Sequence, residues 1–368
     1  MDRMTYAGTG VDYGALDPFK RRAQLAGRAT GDVLARLGVS EVEMSRGESA
    51  YLLEIDDAYL AHVEEGLGTK NLVADAMYRL TGNRSYYDHI AQDTVAMIVN
   101  DMVTLGALPL SVAMHLGAGS SEWFKDERRA GDLVNGWKKA CGLARCAWGG
   151  GETPTLSGVV ESHTVVLAGS AIGMIKPKSR LIRANIQAGD AIVLFESSGI
   201  HANGLTLARA IAESAPNGYL TLLSDGRAYG DALLDPTHIY VGAIEDCLNR
   251  GVDIHYSVNI TGHGWRKLMR ASDPFTYVVE SLPTLQPVFE FMQSQGNIDD
   301  AEAYGNLNMG AGFAIYVPER DVATVIDIAQ PFPFRAMRAG HIEKSATKKV
   351  VIAPKGIEYA AATLGVRA

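Results

Sequence analysis

Apolar positions along this chain come in short runs, punctuated by glycine, serine and proline, and their period changes from run to run. Within residues 88–105, the stretch 94–103 is apolar on almost every side, with Val95, Ala96, Met97, Ile98, Val99 and Met102. That pattern predicts a buried helix, stopped by Gly106 with Pro109 just beyond. Upstream, residues 49–62 read as strand material broken by a turn at Asp56-Asp57, and residues 65–70 (EGLGTK) as a glycine turn between two apolar runs. Downstream, 110–116 predicts a strand, 126–143 a helix with Lys138 and Lys139 in its last turn, and 163–175 a strand rich in Val, Ile and Thr.

A basic, polar stretch at 176–187 (KPKSRLIRANIQ) reads as a linker. Beyond it, 191–196 predicts a strand, 197–204 a glycine–serine loop and 205–213 a helix, an order that offers backbone N–H groups to an anion. Pro236 is placed to open a helix over 238–250. A strand over 252–260 leads into the loop Thr261-Gly262-His263-Gly264 and a helix over 265–271. Helices at 287–295 and 322–329 and strands at 307–317, 336–343 and 348–352 complete the pattern. Alternating strands and helices predict an α/β chain in two domains, 1–175 and 185–352. Residues 1 to about 30 are polar and fit either a mobile arm or a segment folding over a ligand.

Composition narrows the function. A chain of 368 residues exceeds one ordinary core. A net charge of −8 argues against a nucleic-acid partner. No run approaches the roughly 18 apolar residues of a membrane span, and the N-terminal stretch has no apolar signal core, so a cytoplasmic location is expected. Cys141, Cys146 and Cys247 lack metal-ligand spacing and read as thiols in a reducing compartment. There is no Walker A sequence, and no HExxH, CxxC or GxSxG.

The candidate chemistry lies in acids set into apolar surroundings. Asp93, Asn100 and Asp101 share the oily helix; at 100° per residue Asn100 falls about 20° from Asp93 and Asp101 about 80° away. Such a polar edge either reaches solvent or a neighbouring loop, or forms a carboxylate cluster for Mg²⁺. Glu65 and Lys70 in the glycine turn would complete a polyphosphate site.

Several motifs resemble one family across both halves. Residues 6–12 (YAGTGVD), 65–70 (EGLGTK), 92–109 (QDTVAMIVNDMVTLGALP), 150–153 (GGET), 197–204 (SSGIHANG), 234–240 (LDPTHIY), 259–264 and 307–312 match, in order, those of aminoimidazole ribonucleotide (AIR) synthetase, the phosphoribosylformylglycinamidine cyclo-ligase of purine biosynthesis. The resemblance implies an AIR synthetase-like fold: an N-terminal domain contributing to a β-barrel across a homodimer interface, and a C-terminal α/β domain of mixed sheet. It also implies ATP and Mg²⁺, with a small ribonucleotide substrate. By resemblance, Glu65, Asp93, Asn100 and Asp101 are metal ligands. Glu65, Gly66, Gly68, Thr69, Lys70, Asp93, Gly150, Gly151, Glu152 and Thr153 bind nucleotide. Ser198, Gly199, His201, Asn203 and Gly204 bind substrate, and Asp101, Lys70 and His201 are catalytic. From the residues alone, Lys70 fits a surface charge as well, Glu152 a loop anchor, and His201 a ring bonded to its own loop. Departures are Glu65 for the family's aspartate, residues 38–50 in place of a glycine-rich loop, altered segments at 154–158, and Asn259 and His263. They motivate two alternatives, a paralogue activating another acceptor and a non-catalytic nucleotide-binding subunit.

Overall fold

The computed structural model describes residues 3–365, so the first two residues of the predicted N-terminal domain lie outside it. The first half carries a six-stranded sheet: β1 (Ser40–Glu41), β2 (Tyr51–Ile55), β3 (Ala58–Gly66), β4 (Leu108–Ala118), β5 (Ala147–Glu152) and β6 (Val165–Ile175). Its order is β1-β2-β3-β6-β4-β5, with all neighbours antiparallel except β4 and β5. The second half carries seven strands: β7 (Ala191–Glu196), β8 (Tyr256–Asn259), β9 (Phe275–Val279), β10 (Ala311–Val317), β11 (Ala336–Lys344), β12 (Lys349–Ile352) and β13 (Ile357–Ala360). Here the order is β13-β12-β9-β11-β7-β10-β8, and the parallel β12–β9 pair makes the sheet mixed.

Four helices matter for the site: α1 (Tyr13–Arg28), α2 (Lys70–Thr81), α3 (Tyr87–Val103) and α4 (Glu127–Leu143). Helix α3 is the predicted buried helix, and residues 93–103 are all buried. It lies against β3 and β6 on one side and α4 on another. Close approach depends on missing side chains: a Cβ at Gly169 or Gly173 of β6 would meet Ile98 or Met102 of α3 at 2.9 and 2.2 Å. Gly106 ends the helix region at φ +80°, and a Cβ there would fall 2.4 Å from the Arg180 carbonyl. The opposite face of the sheet is open, with Val166 and Ile172 about half exposed at 49% and 54%.

Some predicted elements differ. The 238–250 helix begins only at Val241, because residues 235–240 run as irregular backbone against α3, with backbone groups of Thr237, His238 and Tyr240 bonded to its side chains. Residues 264–269 form a 3-10 turn rather than an α-helix. The predicted strand at 307–317 starts at Ala311, preceded by a short helix, Asp300–Asn306, capped by Asp299. The N-terminal segment is not a loose arm: α1 is capped by the Asp12 side chain and reaches the second half.

Candidate active site

Helix α3 carries two polar stripes with different fates. The first docks the two halves. Asp93 Oδ1 accepts from the backbone N–H of Thr237 at 2.8 Å and from its hydroxyl at 2.5 Å. Asn100 donates to the His238 carbonyl at 2.8 Å and accepts from the Tyr240 N–H at 2.9 Å. Gln92 donates to the Thr237 carbonyl, and His89 bonds the Leu234 carbonyl. So Asp93 and Asn100, the pair only about 20° apart on the helical wheel, grip one irregular stretch of backbone, residues 237–240. Lys70 joins them. It is wholly buried, 2.9 Å from Asp93, and donates to the Asp235 carbonyl at 2.7 Å. Burial raises the Asp93 pKa, while the Lys70 charge and the Thr237 donors pull it back.

The second stripe is Asp101, which faces a cavity of about 670 Å³ between the halves. Glu65 meets it there. Its position on β3 pairs with Gly169, whose missing Cβ points at Ile98, so Glu65 shares the sheet face toward α3. Burial pushes the Glu65 carboxyl up to about 7, and the Asp101 charge adds to the rise. The C-terminal half answers with Asn259, whose amide donates to Asp101 Oδ1 at 2.7 Å. Burial brings the nearby Lys267 down to about 8, with Asp101 opposing the fall.

The rest of the cavity wall was less legible. Tyr6, Tyr13 and Lys20 come from the N-terminal segment, and Arg270 from beyond the late glycine loop. Helix α1 is clasped over the cavity: His263 stacks on Tyr13 with ring centroids 3.6 Å apart, and its Nε2 lies 3.2 Å from Asp17. Burial lowers the His263 pKa to about 4 despite Asp17. Arg270 donates to Ser49 Oγ at 3.0 Å and to the Gly47 carbonyl at 2.9 Å, holding the segment that stands where the family has its glycine-rich loop. In the sequence the signals pointing here were the 6–12 motif, the polar N-terminal segment, the altered stretch at 38–50 and the departures at Asn259 and His263.

The structure brings Glu65, Asp101 and Asn203 to one cavity and leaves other expected site residues outside its wall. Asn203 accepts from the Gly262 N–H at 3.1 Å. His201 is buried at φ +60° and its Nε2 accepts from the Ser198 N–H at 3.1 Å, so that donor already has a partner. Burial holds the His201 pKa well below its ordinary value, giving a neutral ring. Ser198 Oγ donates to the Pro236 carbonyl, the Gly199 carbonyl accepts from Asn308, and Gly204 turns at φ +85° into the following helix. Gly66 ends β3, Gly68 turns at φ +78°, and Thr69 precedes α2. Gly150, Gly151 and Glu152 lie exposed on the edge strand β5, with Thr153 just after. Glu65, Gly169, Met114 and Gly151 form one row across the sheet, three strand spacings or roughly 14 Å from end to end.

The donor set suits Mg²⁺ bound jointly with phosphate. Burial, and after it the Asp101 charge, pushes the Glu65 proton affinity up, and the two carboxylates border a cavity large enough for a nucleotide. Among the described residues no group of three or more His, Cys, Asp or Glu side chains is placed to hold a metal alone. Mg²⁺ takes one or two carboxylates and fills its shell with phosphate oxygens and water.

Two mixed α/β halves closing on an acid-lined cavity define a two-domain enzyme-like architecture with its site at the domain junction. The chain belongs to the AIR synthase related family: the family model for the N-terminal domain matches residues 47–175 and that for the C-terminal domain residues 187–353. It is 31% identical over 346 residues to the phosphoribosylformylglycinamidine cyclo-ligase of Methanocaldococcus jannaschii, covering 93% of each chain. It is also 31% identical over 375 residues to that of Carboxydothermus hydrogenoformans, covering 96% of this chain and 99% of the relative. Among solved structures, the HypE–HypF complex matches with TM-score 0.59 at 16% identity, over 85% of this chain and 92% of that one. T. maritima PurL complexed with AMPPCP matches with TM-score 0.56 at 13% identity, over 89% of this chain and 48% of that one. These two likenesses show the fold. Among the described residues no helix is long and apolar enough to cross a membrane.

Proposed function

We infer that this chain is a cytoplasmic cyclo-ligase that uses ATP and Mg²⁺ to close formylglycinamidine ribonucleotide to aminoimidazole ribonucleotide, releasing ADP and phosphate. The observation that carries the reading is the Glu65–Asp101 pair, contributed by a strand and a helix and lining one cavity, in a chain that aligns over more than nine-tenths of its length with named cyclo-ligases. The formyl amide oxygen takes the γ-phosphoryl group of ATP, an amidine nitrogen then attacks that carbon, and phosphate leaves as the ring closes. Glu65 and Asp101 would hold Mg²⁺, which would supply charge neutralisation for the transferred phosphoryl group. Asn259 fixes the Asp101 carboxylate for that task. Lys70 and Asp93 stand behind the site and hold the two halves at the spacing the cavity needs. Helix α1, held by His263, lends Tyr13 and Lys20 to the cavity wall and would narrow water's access to an intermediate that water destroys.

The two domains are assigned to residues 1–175 and 185–352, and the open face of the first sheet supports a homodimer. Val166 and Ile172 are apolar, exposed, and on the face away from α3. Coupled ADP release with formylglycinamidine ribonucleotide tests the activity. Turnover with another acceptor and none with this one would move the chain to a paralogous reaction, and nucleotide binding without turnover on any acceptor would make it a regulatory subunit. Light scattering tests the dimer, with Ile172→Lys expected to shift the mass toward one chain.

A further inference from the structure

Lys267 has no part in the roles above, yet it lines the same cavity at only 7% exposure. Its ammonium donates to the Thr261 hydroxyl and, at 3.3 Å, to the Asn259 carbonyl. It lies in the field of both Asp101 and Glu65, with Arg270 and Lys20 as the opposing cations. The residue whose backbone receives Lys267 is also the one whose side-chain amide holds Asp101. The second half therefore delivers a fixed positive charge to the acid pair of the first. Two neutral oxygens offset only part of the cost of burying an ammonium, and the acids supply the remainder.

We propose that Lys267 is a positioning residue that sets the order of binding: it keeps a free divalent ion off the Glu65–Asp101 pair and admits the ion together with a polyphosphate. Two bare carboxylates would attract a divalent cation on their own. With the ammonium in the same cavity wall the negative charge of the pair is partly offset, and the incoming ion is repelled by a cation it cannot displace, because Lys267 is tethered to Thr261 and Asn259. A nucleoside triphosphate reverses the sign, since its several negative charges are drawn to the same ammonium. This rests on the metal–nucleotide reading of the cavity and adds a sequence of events to it.

The test is binding, not turnover. Mn²⁺ replaces Mg²⁺ as the probe, titrated by electron paramagnetic resonance with and without AMPPCP, on the wild type, Lys267→Met, Lys267→Gln and Lys267→Arg. Removing one unit charge from the wall of the same cavity is expected to tighten free Mn²⁺ binding about tenfold or more in the Met and Gln variants. The same variants are expected to bind Mn²⁺–AMPPCP about tenfold more weakly, with Arg like the wild type in both titrations. The Gln variant keeps a donor for Thr261 and Asn259, so it covers a Met variant that fails to fold. Free Mn²⁺ binding unchanged or weakened in folded neutral variants overturns the proposal and leaves Lys267 a packing residue. A wild type that binds neither Mn²⁺ nor its AMPPCP complex overturns the metal–nucleotide reading itself, and the proposal with it.

Discussion

Asp93 and Asp101 are eight residues apart on one helix, and their substitutions have opposite signatures. Asp101→Asn keeps a partner of the same shape beside Asn259 and removes only the charge that faces the cavity. Mn²⁺–nucleotide affinity and turnover are expected to fall by orders of magnitude, while the thermal midpoint falls far less than in Asp93→Asn because Glu65 still offsets the Lys267 ammonium. Asp93→Asn leaves the Lys70 ammonium buried without its counter-ion, which costs about 3–5 kcal/mol; a urea titration should show the lost stability directly. The reverse result, a metal defect in Asp93→Asn without destabilisation, would exchange the two roles. Glu65 adds a pH signature. Its folded value of about 7 lies above its ordinary 4.5, so the folded chain binds more protons across that window. The metal-free protein should therefore lose stability as pH rises from 4.5 to 7, a trend absent in Glu65→Gln. Metal affinity runs the other way and should fall as pH drops through about 7, because the ligand must be a carboxylate. Lys267 is depressed from 10.5 to about 8, so its contribution improves stability as pH climbs between those values.

Helix α3 was legible in the sequence because its apolar residues admit no solvent-facing side, and its stop at Gly106 is a left-handed turn that glycine accepts readily. Its polar residues were harder to read. Helical angles place Asp93 and Asn100 together but carry no information on what lies opposite, and here that is the backbone of residues 237–240 from the other half. The same distant contact suppresses the start of the helix expected at 238, since those backbone groups are already bonded to α3. Helix α1 was ambiguous for a related reason: its anchor is a histidine some 250 positions away, held at φ +66° in a loop where the family carries glycine. His263→Gly relieves that backbone strain while cutting both the stack on Tyr13 and the contact to Asp17. Amide hydrogen exchange is expected to accelerate across residues 13–28 and to stay unchanged in α3. Unaltered exchange in α1 would mean that other contacts hold it down.

The family and the order of elements could be read from motifs spread through both halves, whereas the site could be read only in part. Glu65 and Asp101 do meet, but Lys267, Tyr13 and Arg270 reach the same cavity from segments with no motif of their own. Their placement is a product of the whole chain closing, which local pattern does not encode. The docking stripe on α3 has a consequence for how the molecule comes apart. Asp93, Asn100, Gln92, His89 and Lys70 all hold residues 234–240, so the covalent link through residues 176–187 is one connection among many. A protease site engineered into that link should give two fragments that co-elute on gel filtration until denaturant is added, behaving as a complementing pair rather than as separable modules.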